Sequence, residues 1–385
     1  MKNVLFIESG VFGGGSFVSL LKHLHALDRK KVKPFVVFFN TTEHIQKIEA
    51  LGISTFLVKD LLFTGRGYKI AKTINAFFMK GYLPFLNGFF LKKIHKQSIN
   101  QIKNIITSNQ IDFVHLNTEI FRDRVGLFAA QELRIPVVSQ LRSKYDASRI
   151  GKLSSYIDFA NQSVKKYVCV SEDTKKFWVD HFKIHSNIDV IYDYFETTPK
   201  LEVINYQFSN PVKILCPANL IPVKGHSFLI KSIATLIKEN KITLILAGRG
   251  EETYTESLKT LCSDLGISDG VQFLGFRKDI INLMSSSDII ILSSEREGMP
   301  NAIIEAMGIG RIVIGTNVGG IPEIIKNGEN GFLVSYNDES KLRNTVEDII
   351  LKNTNTEMIG NNAKSTIKQY FSREQYQSKI QNLYE

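Results

Sequence analysis

Cysteine is scarce in this chain, with three in 385 residues. An odd set cannot pair completely, and Cys169 and Cys216 lie inside apolar runs, where they read as small buried hydrophobes. This excludes a disulfide-stapled domain and predicts a reducing compartment. Long apolar runs are missing too. No stretch approaches the roughly 18 uncharged apolar residues of a membrane span. The opening MKNVLFIESG breaks off at Glu8, as a first β-strand does and a signal peptide does not. The expected location is cytoplasmic, with peripheral attachment to the inner face of the membrane as the further option. Repeats, low-complexity tracts, long basic runs and nucleic-acid motifs are also lacking. No D-x-D pair and no cluster with metal-ligand spacing occurs. His181 and His185 share i,i+4 spacing, but no partner completes a zinc site. No GxGxxG follows either first strand, which excludes a nicotinamide dehydrogenase. No metal and no cofactor are expected, and no nucleic-acid partner.

What is present is a globular composition, 43% hydrophobic and 22% charged. Its length favours two domains. The formal charge of +10 is spread along the chain. It suits anionic partners such as nucleotide phosphates or acidic lipid, and equally a plain basic surface. Short apolar runs alternate with helical patterns: Val4–Ile7, Phe35–Phe39, Phe113–His115, Val137–Ser139 and Tyr167–Val170, then Lys213–Cys216, Thr243–Ala247, Val271–Leu274, Ile289–Leu292 and Ile312–Ile314. Buried parallel strands joined by crossover helices have this pattern. The fold class is therefore α/β, with two Rossmann-like doubly wound domains. The polar stretch Glu196–Asn210 reads as the linker. Domains of 1–196 and 210–365 follow, with a terminal helix over 366–385 carrying Phe371, Tyr376, Ile380 and Leu383 as its apolar positions. Segment 68–102 interleaves aromatics and lysines. It reads either as an interfacial stretch for an anionic membrane surface, with Lys92 and Lys93 in contact, or as core of the first domain.

Four constellations follow strands, at the sheet edge where doubly wound folds bind ligands. Ser9–Ser16 carries three glycines, Gly13, Gly14 and Gly15, ahead of a helix start near Ser16. It offers backbone N–H groups to a phosphate or sugar, or makes a plain tight turn. Glu8 ends the strand before it. The run SSEREGMPNAIIEAMGIG begins at Ser293. Pro300 suits the first position of its helix. Glu297 precedes that helix, and Glu305 lies in its second turn and leans back toward the N-terminus. Gly298, Met299 and Asn301 present backbone N–H groups there. Carboxylates accept from sugar hydroxyls and helix ends hold phosphates, so together they select a ligand carrying both. Thr316–Glu323 repeats the device, with Pro322 inside a second helix start. The last constellation holds cations: Lys224 in Pro222–Gly225, and Arg249 and Arg277 after later strands, with Phe276 placed to lie beside a nucleobase.

These blocks resemble the donor domain of the retaining glycosyltransferases of family four, which have the GT-B fold. The matching text is PVKGHSFLI, LAGRGEE, VQFLGFRKDI, SSDIIILSSEREGMPNAIIEAMGIGRIVIGTNVGGIPEII and NGENGFLV, in order from about Pro217 to Val334. Glu297 and Glu305 have the spacing of that family's E-x7-E motif. The first half matches more loosely, through the glycine loop and IDFVHLN at 111–117. The resemblance implies two domains facing across a cleft, with the final helix crossing back onto the first. It implies that Lys224 and Gly225 meet the donor diphosphate and that Glu305 holds ribose hydroxyls. Glu297 and Gly298–Asn301 would contact the sugar, and Gly14 and Gly15 would face the diphosphate. There are two departures. Asn219 stands where the family often has arginine, with Arg249 as the replacement cation. Asn117 stands where many members have the second histidine of an H-x-H, leaving His115 as its first.

The implied reaction is sugar transfer from a nucleoside diphosphate sugar, UDP by default, with retention at the anomeric carbon. The acceptor is a glycan or lipid-linked glycan, in bacterial polysaccharide or glycoconjugate synthesis. Catalytic candidates are Glu297, Lys224, Asn117 and His115, and His115 equally suits a core position. Two other readings stand at this point: a sugar-nucleotide 2-epimerase, which needs no acceptor, and a non-catalytic sugar-nucleotide-binding protein.

Overall fold

The computed structural model describes residues 1–9, 15–40, 43–59, 92–144, 154–184, 187–195, 206–351 and 354–385. They fall into two units, Met1–Asp193 with Tyr376–Glu385, and Tyr194–Gln375.

The first unit holds a seven-stranded sheet, β1 (Lys2–Glu8), β2 (Val32–Phe38), β3 (Ser54–Leu57), β4 (Phe113–Leu116), β5 (Val137–Leu141), β6 (Val164–Cys169) and β7 (Ile188–Val190), in the order β3-β2-β1-β4-β5-β6-β7. Every pairing is parallel. The central run Val4–Ile7 is fully buried, because a strand covered on both faces needs apolar side chains at every position. The edge strands β3 and β7 are only half covered, so no apolar run marks them in the sequence.

The second unit holds a six-stranded sheet, β8 (Val212–Cys216), β9 (Ile242–Ala247), β10 (Val271–Gly275), β11 (Ile289–Leu292), β12 (Ile312–Thr316) and β13 (Phe332–Val334), in the order β10-β9-β8-β11-β12-β13, again parallel. Helix His226–Lys238 shows why such segments are helical. Its Phe228, Leu229, Ile233, Leu236 and Ile237 recur at helical spacing and are buried. It packs on helix Glu339–Ile350, whose Leu342, Val346 and Ile349 are buried. Each such side chain contributes roughly 1.5–3 kcal/mol of transfer free energy. The helix ends where Asn240 turns left-handed at φ 53°.

Each sheet reverses its strand order once, between β1 and β4 and between β8 and β11. Loops leaving the carboxyl ends of those neighbours flank a crevice.

Three details differ from expectation. Helix Asn301–Gly308 starts one residue after Pro300, which caps it in an extended conformation. The helix at Pro322 is a single turn, Ile321–Ile324. The terminal segment is two helices, Thr356–Tyr370 and Arg373–Gln381, interrupted at Phe371. Phe371, Tyr376, Ile380 and Leu383 are buried as expected. Of the basic aromatic segment, 68–91 lies outside the described residues. Its end belongs to the core reading: Ile99 and Ile102 are buried, and the Lys92 ammonium sits 5.5 Å from both the Phe128 and Phe159 rings. No described helix is long and apolar enough to cross a membrane.

Candidate active site

In the second unit the site is built from turns that follow β8, β9, β11 and β12. Lys224 ends the short 3-10 turn Pro222–Lys224 after β8, and Glu297 lies past β11, the neighbour across the reversal point. Their side chains meet, Nζ to Oε1, at 2.6 Å. The Ser294 hydroxyl donates to the same carboxylate oxygen at 2.6 Å. The pair is therefore a short charge-assisted contact between a largely buried carboxylate and a more accessible ammonium.

Backbone contacts hold this pair in place. Ser293 Oγ donates to the Lys224 carbonyl at 3.0 Å, and the Glu295 N–H donates to the Val223 carbonyl at 2.9 Å. On the other side Thr316 Oγ1 donates to the Ser294 carbonyl at 2.6 Å, and the Gly320 N–H donates to the Gly298 carbonyl at 2.8 Å. Two glycines permit this closeness. Gly225 has φ +68°, and a Cβ there would lie 2.0 Å from the Ser293 carbonyl oxygen. Gly319 has φ +59°, and its Cβ would lie 2.1 Å from that of Glu297. Gly298, Met299 and Pro300 are buried beneath the helix start, while Asn301 and Glu305 are half-buried on helix Asn301–Gly308.

Asn219 has a clear task. Its Oδ1 accepts from the Arg249 backbone N–H at 3.2 Å, which ties the turn after β8 to the turn after β9. The Arg249 guanidinium then stacks over the Phe276 ring, 4.4 Å from its centroid. Phe276 is 47% exposed, so an aromatic surface faces solvent at the end of β10. Arg277 departs from its expected role as a ligand cation. Its guanidinium is engaged on both arms by the exposed Asp279, at 2.8 and 2.6 Å. His226, directly after Gly225, is fully buried, and burial brings its pKa down to about 4.

In the first unit Gly14 lies outside the described residues, and Gly15 opens helix Gly15–Ala26. His115 is not at an accessible edge. It is fully buried in β4, stacked on Phe6, with Nδ1 and the Tyr384 hydroxyl 2.7 Å apart. Burial holds its pKa well below the ordinary histidine value. The catalytic expectation for it is corrected to a core role, because no reactant reaches a fully enclosed imidazole. Asn117 is also buried, and both ends of its amide are engaged. Nδ2 donates to Glu8 and, at 3.1 Å, to the Ser16 carbonyl, while Oδ1 accepts from Arg142 at 2.9 Å. It is a structural hub and has no donor left for a sugar. Sequence reasoning missed Arg142 and Asp193, since neither belongs to a motif. It also missed Glu119, buried just past β4 with Arg122 3.3 Å away, whose carboxyl burial raises to about 7. Among the described residues no acidic, histidine and cysteine group forms a metal site. All three cysteines are free and buried.

Two family models match the chain. Glycosyltransferase Family 4 covers residues 13–197, and Glycosyl transferases group 1 covers 199–366. The chain is 26% identical over 297 residues to an N-acetyl-alpha-D-glucosaminyl L-malate synthase of Bacillus anthracis, spanning 74% of this chain and 77% of that one. It is 30% identical over 173 residues to an Escherichia coli UDP-Gal:alpha-D-GlcNAc-diphosphoundecaprenol alpha-1,3-galactosyltransferase, covering 43% of each. Among solved structures, Anabaena HepE in complex with UDP and glucose shares the fold with a TM-score of 0.80 at 22% identity, covering 100% of this chain and 99% of that one.

Proposed function

The chain belongs to the group 1 glycosyl transferases, with the GT-B fold, and on that premise we propose that it transfers a sugar from a UDP-sugar to a glycan or lipid-linked acceptor with retention of anomeric configuration. The observation that carries this reading is the Lys224–Glu297 pair at the reversal point of the second sheet, set among two glycine turns and a helix start. Glu305 takes the ribose hydroxyls, and Glu297 and the backbone of Gly298–Asn301 take the sugar. Phe276, backed by Arg249, gives the base a flat surface. Lys224 and Arg249 answer the charge that grows on the leaving diphosphate, so the reading requires no metal.

In the reaction the bond from the anomeric carbon to the β-phosphate oxygen breaks as the acceptor oxygen bonds to that carbon on the same face. The acceptor proton passes to the departing phosphate. The relatives, which include a lipopolysaccharide core biosynthesis glycosyltransferase of Rhizobium meliloti, support a glycan pathway.

The test is a thermal-shift series with UDP, GDP, ADP, their common sugars and NAD, with Glu305→Ala alongside. UDP at 100 times its Kd adds about 2.7 kcal/mol to stability. The expected result is a shift with UDP but not NAD, unchanged in EDTA and absent from the variant. No shift with any nucleoside diphosphate sinks the proposal. A UDP-sugar altered in place without acceptor would replace it with an epimerase, and the product anomer read by NMR decides retention.

A further inference from the structure

Four side chains far apart in sequence converge at the carboxyl edge of the first unit's sheet. Glu8 ends β1, Asn117 follows β4, Arg142 follows β5 and Asp193 lies beyond β7. Arg142 grips one residue twice: Nε donates to the Asn117 backbone carbonyl at 2.7 Å and Nη2 to its Oδ1 at 2.9 Å. Its third nitrogen, Nη1, lies 3.9 Å from Asp193 Oδ2. Asn117 in turn donates to the Ser16 carbonyl and to Glu8, and Glu8 accepts from the Ser16 hydroxyl at 3.3 Å. Asp193 accepts from the Ser19 hydroxyl. Helix Gly15–Ala26 is thus tied to the sheet at Ser16 and Ser19 by both arms of one network.

The network is almost closed to water, with Glu8 2%, Asn117 1% and Asp193 4% exposed. Burying charged groups costs more than burying leucines of similar size, so such a network is a poor way to gain stability. What a fully satisfied network does supply is one fixed geometry. Here the geometry is that of the helix start beside the β1–β4 reversal. We propose that Arg142 is a positioning residue for sugar transfer: through Asn117 and Asp193 it sets the first turns of helix Gly15–Ala26, the edge of the first unit that receives a reactant. The inference rests on the proposed transfer reaction. In this role Arg142 acts through its contacts with Asn117 and Asp193.

The experiment uses the full-length chain carrying Arg142→Met, Arg142→Lys or Asp193→Asn. Three quantities are read: hydrogen exchange of the 15–20 amides, Kd for UDP, and kcat for UDP release from the UDP-sugar that gives the largest thermal shift, with water as the acceptor of the sugar. Arg142→Met should speed exchange at 15–20 about tenfold or more, with β2 and helix His226–Lys238 unchanged. Its kcat should fall roughly 10- to 100-fold through misplacement alone, while Kd for UDP stays within about twofold. Arg142→Lys, which keeps the charge but not the fork, should fall between wild type and Arg142→Met. Asp193→Asn should loosen Ser19 more than Ser16. Wild-type exchange at 15–20 in Arg142→Met overturns the proposal, as does equally faster exchange throughout the first unit, or an unchanged kcat with a loosened helix. If Arg142→Met does not fold, the other two variants carry the same comparison. A wild-type chain that binds no UDP refutes the transfer reading and with it the role in transfer, while the exchange measurement still decides whether Arg142 sets the start of helix Gly15–Ala26.

Discussion

At the scale of single residues, the site turns on one ammonium and one carboxylate. Lys224 and Glu297 are 2.6 Å apart, and Glu297 has a second donor in Ser294. Removing the lysine strips charge from the proposed diphosphate site and leaves a largely buried carboxylate with less support. Lys224→Met should lower kcat/KM by about 10²–10³-fold and stability by about 1–3 kcal/mol. The double variant Lys224→Met with Glu297→Gln should recover most of the stability and none of the turnover. Urea melts and initial rates on the same samples separate the two effects, and equal recovery of both would refute the role. Residue identity alone misleads in the first unit. His115 and Asn117 sit where the family resemblance places catalytic groups, yet one is enclosed against Tyr384 and the other is saturated by Glu8, Ser16 and Arg142.

Among elements, the turns matter more than the strands they leave. Gly225 sits between a 3-10 turn and a helix, left-handed and pressed on the Ser293 carbonyl. A methyl group there would push the turn after β8 away from the turn after β11 and pull Lys224 from Glu297. Gly225→Ala should therefore abolish the UDP thermal shift and destabilise the fold by about 1–3 kcal/mol. Wild-type UDP affinity in this variant would mean that the closeness of the two turns is not needed. The central strands were legible because a strand buried on both faces is a continuous apolar run. Strands β3, β7 and β13 were not, since an edge strand is half covered and its composition is mixed.

For the molecule as a whole, buried titratable groups set the pH dependence of stability. Burial raises Glu119 to about 7, while an unfolded glutamate titrates near 4.3. Between those values the folded chain holds a proton that the unfolded chain has released, so this group's contribution is present below about pH 4 and lost as pH rises through 7. The histidines have the opposite sign. His23, lowered to about 3 by burial and held between the Tyr376 and Tyr384 hydroxyls, and His226, at about 4, are neutral in the folded chain. The unfolded chain protonates first as pH drops below about 6.5, so acid lowers stability there. Glu119→Gln should gain on wild type between pH 5 and pH 8, by up to about 3 kcal/mol in urea unfolding. A pH-independent difference would place Glu119 in an ordinary solvated environment.

The sequence by itself determined the two parallel-sheet domains and the turns at the carboxyl edge of the second that form the candidate site. Those properties reside in local patterns: apolar runs at strand length, glycines where a backbone must approach closely, proline before a helix, and two glutamates across a helix start. Tertiary structure alone decided the hub of the first unit. Glu8, Asn117, Arg142 and Asp193 lie on four different strand ends, and no local pattern links them. Only the strand order brings them together, and only burial makes their hydrogen bonds obligatory. The same physics withdrew His115 from the chemistry: its place in β4 was legible, but its enclosure depends on Tyr384, which is supplied by the far end of the chain.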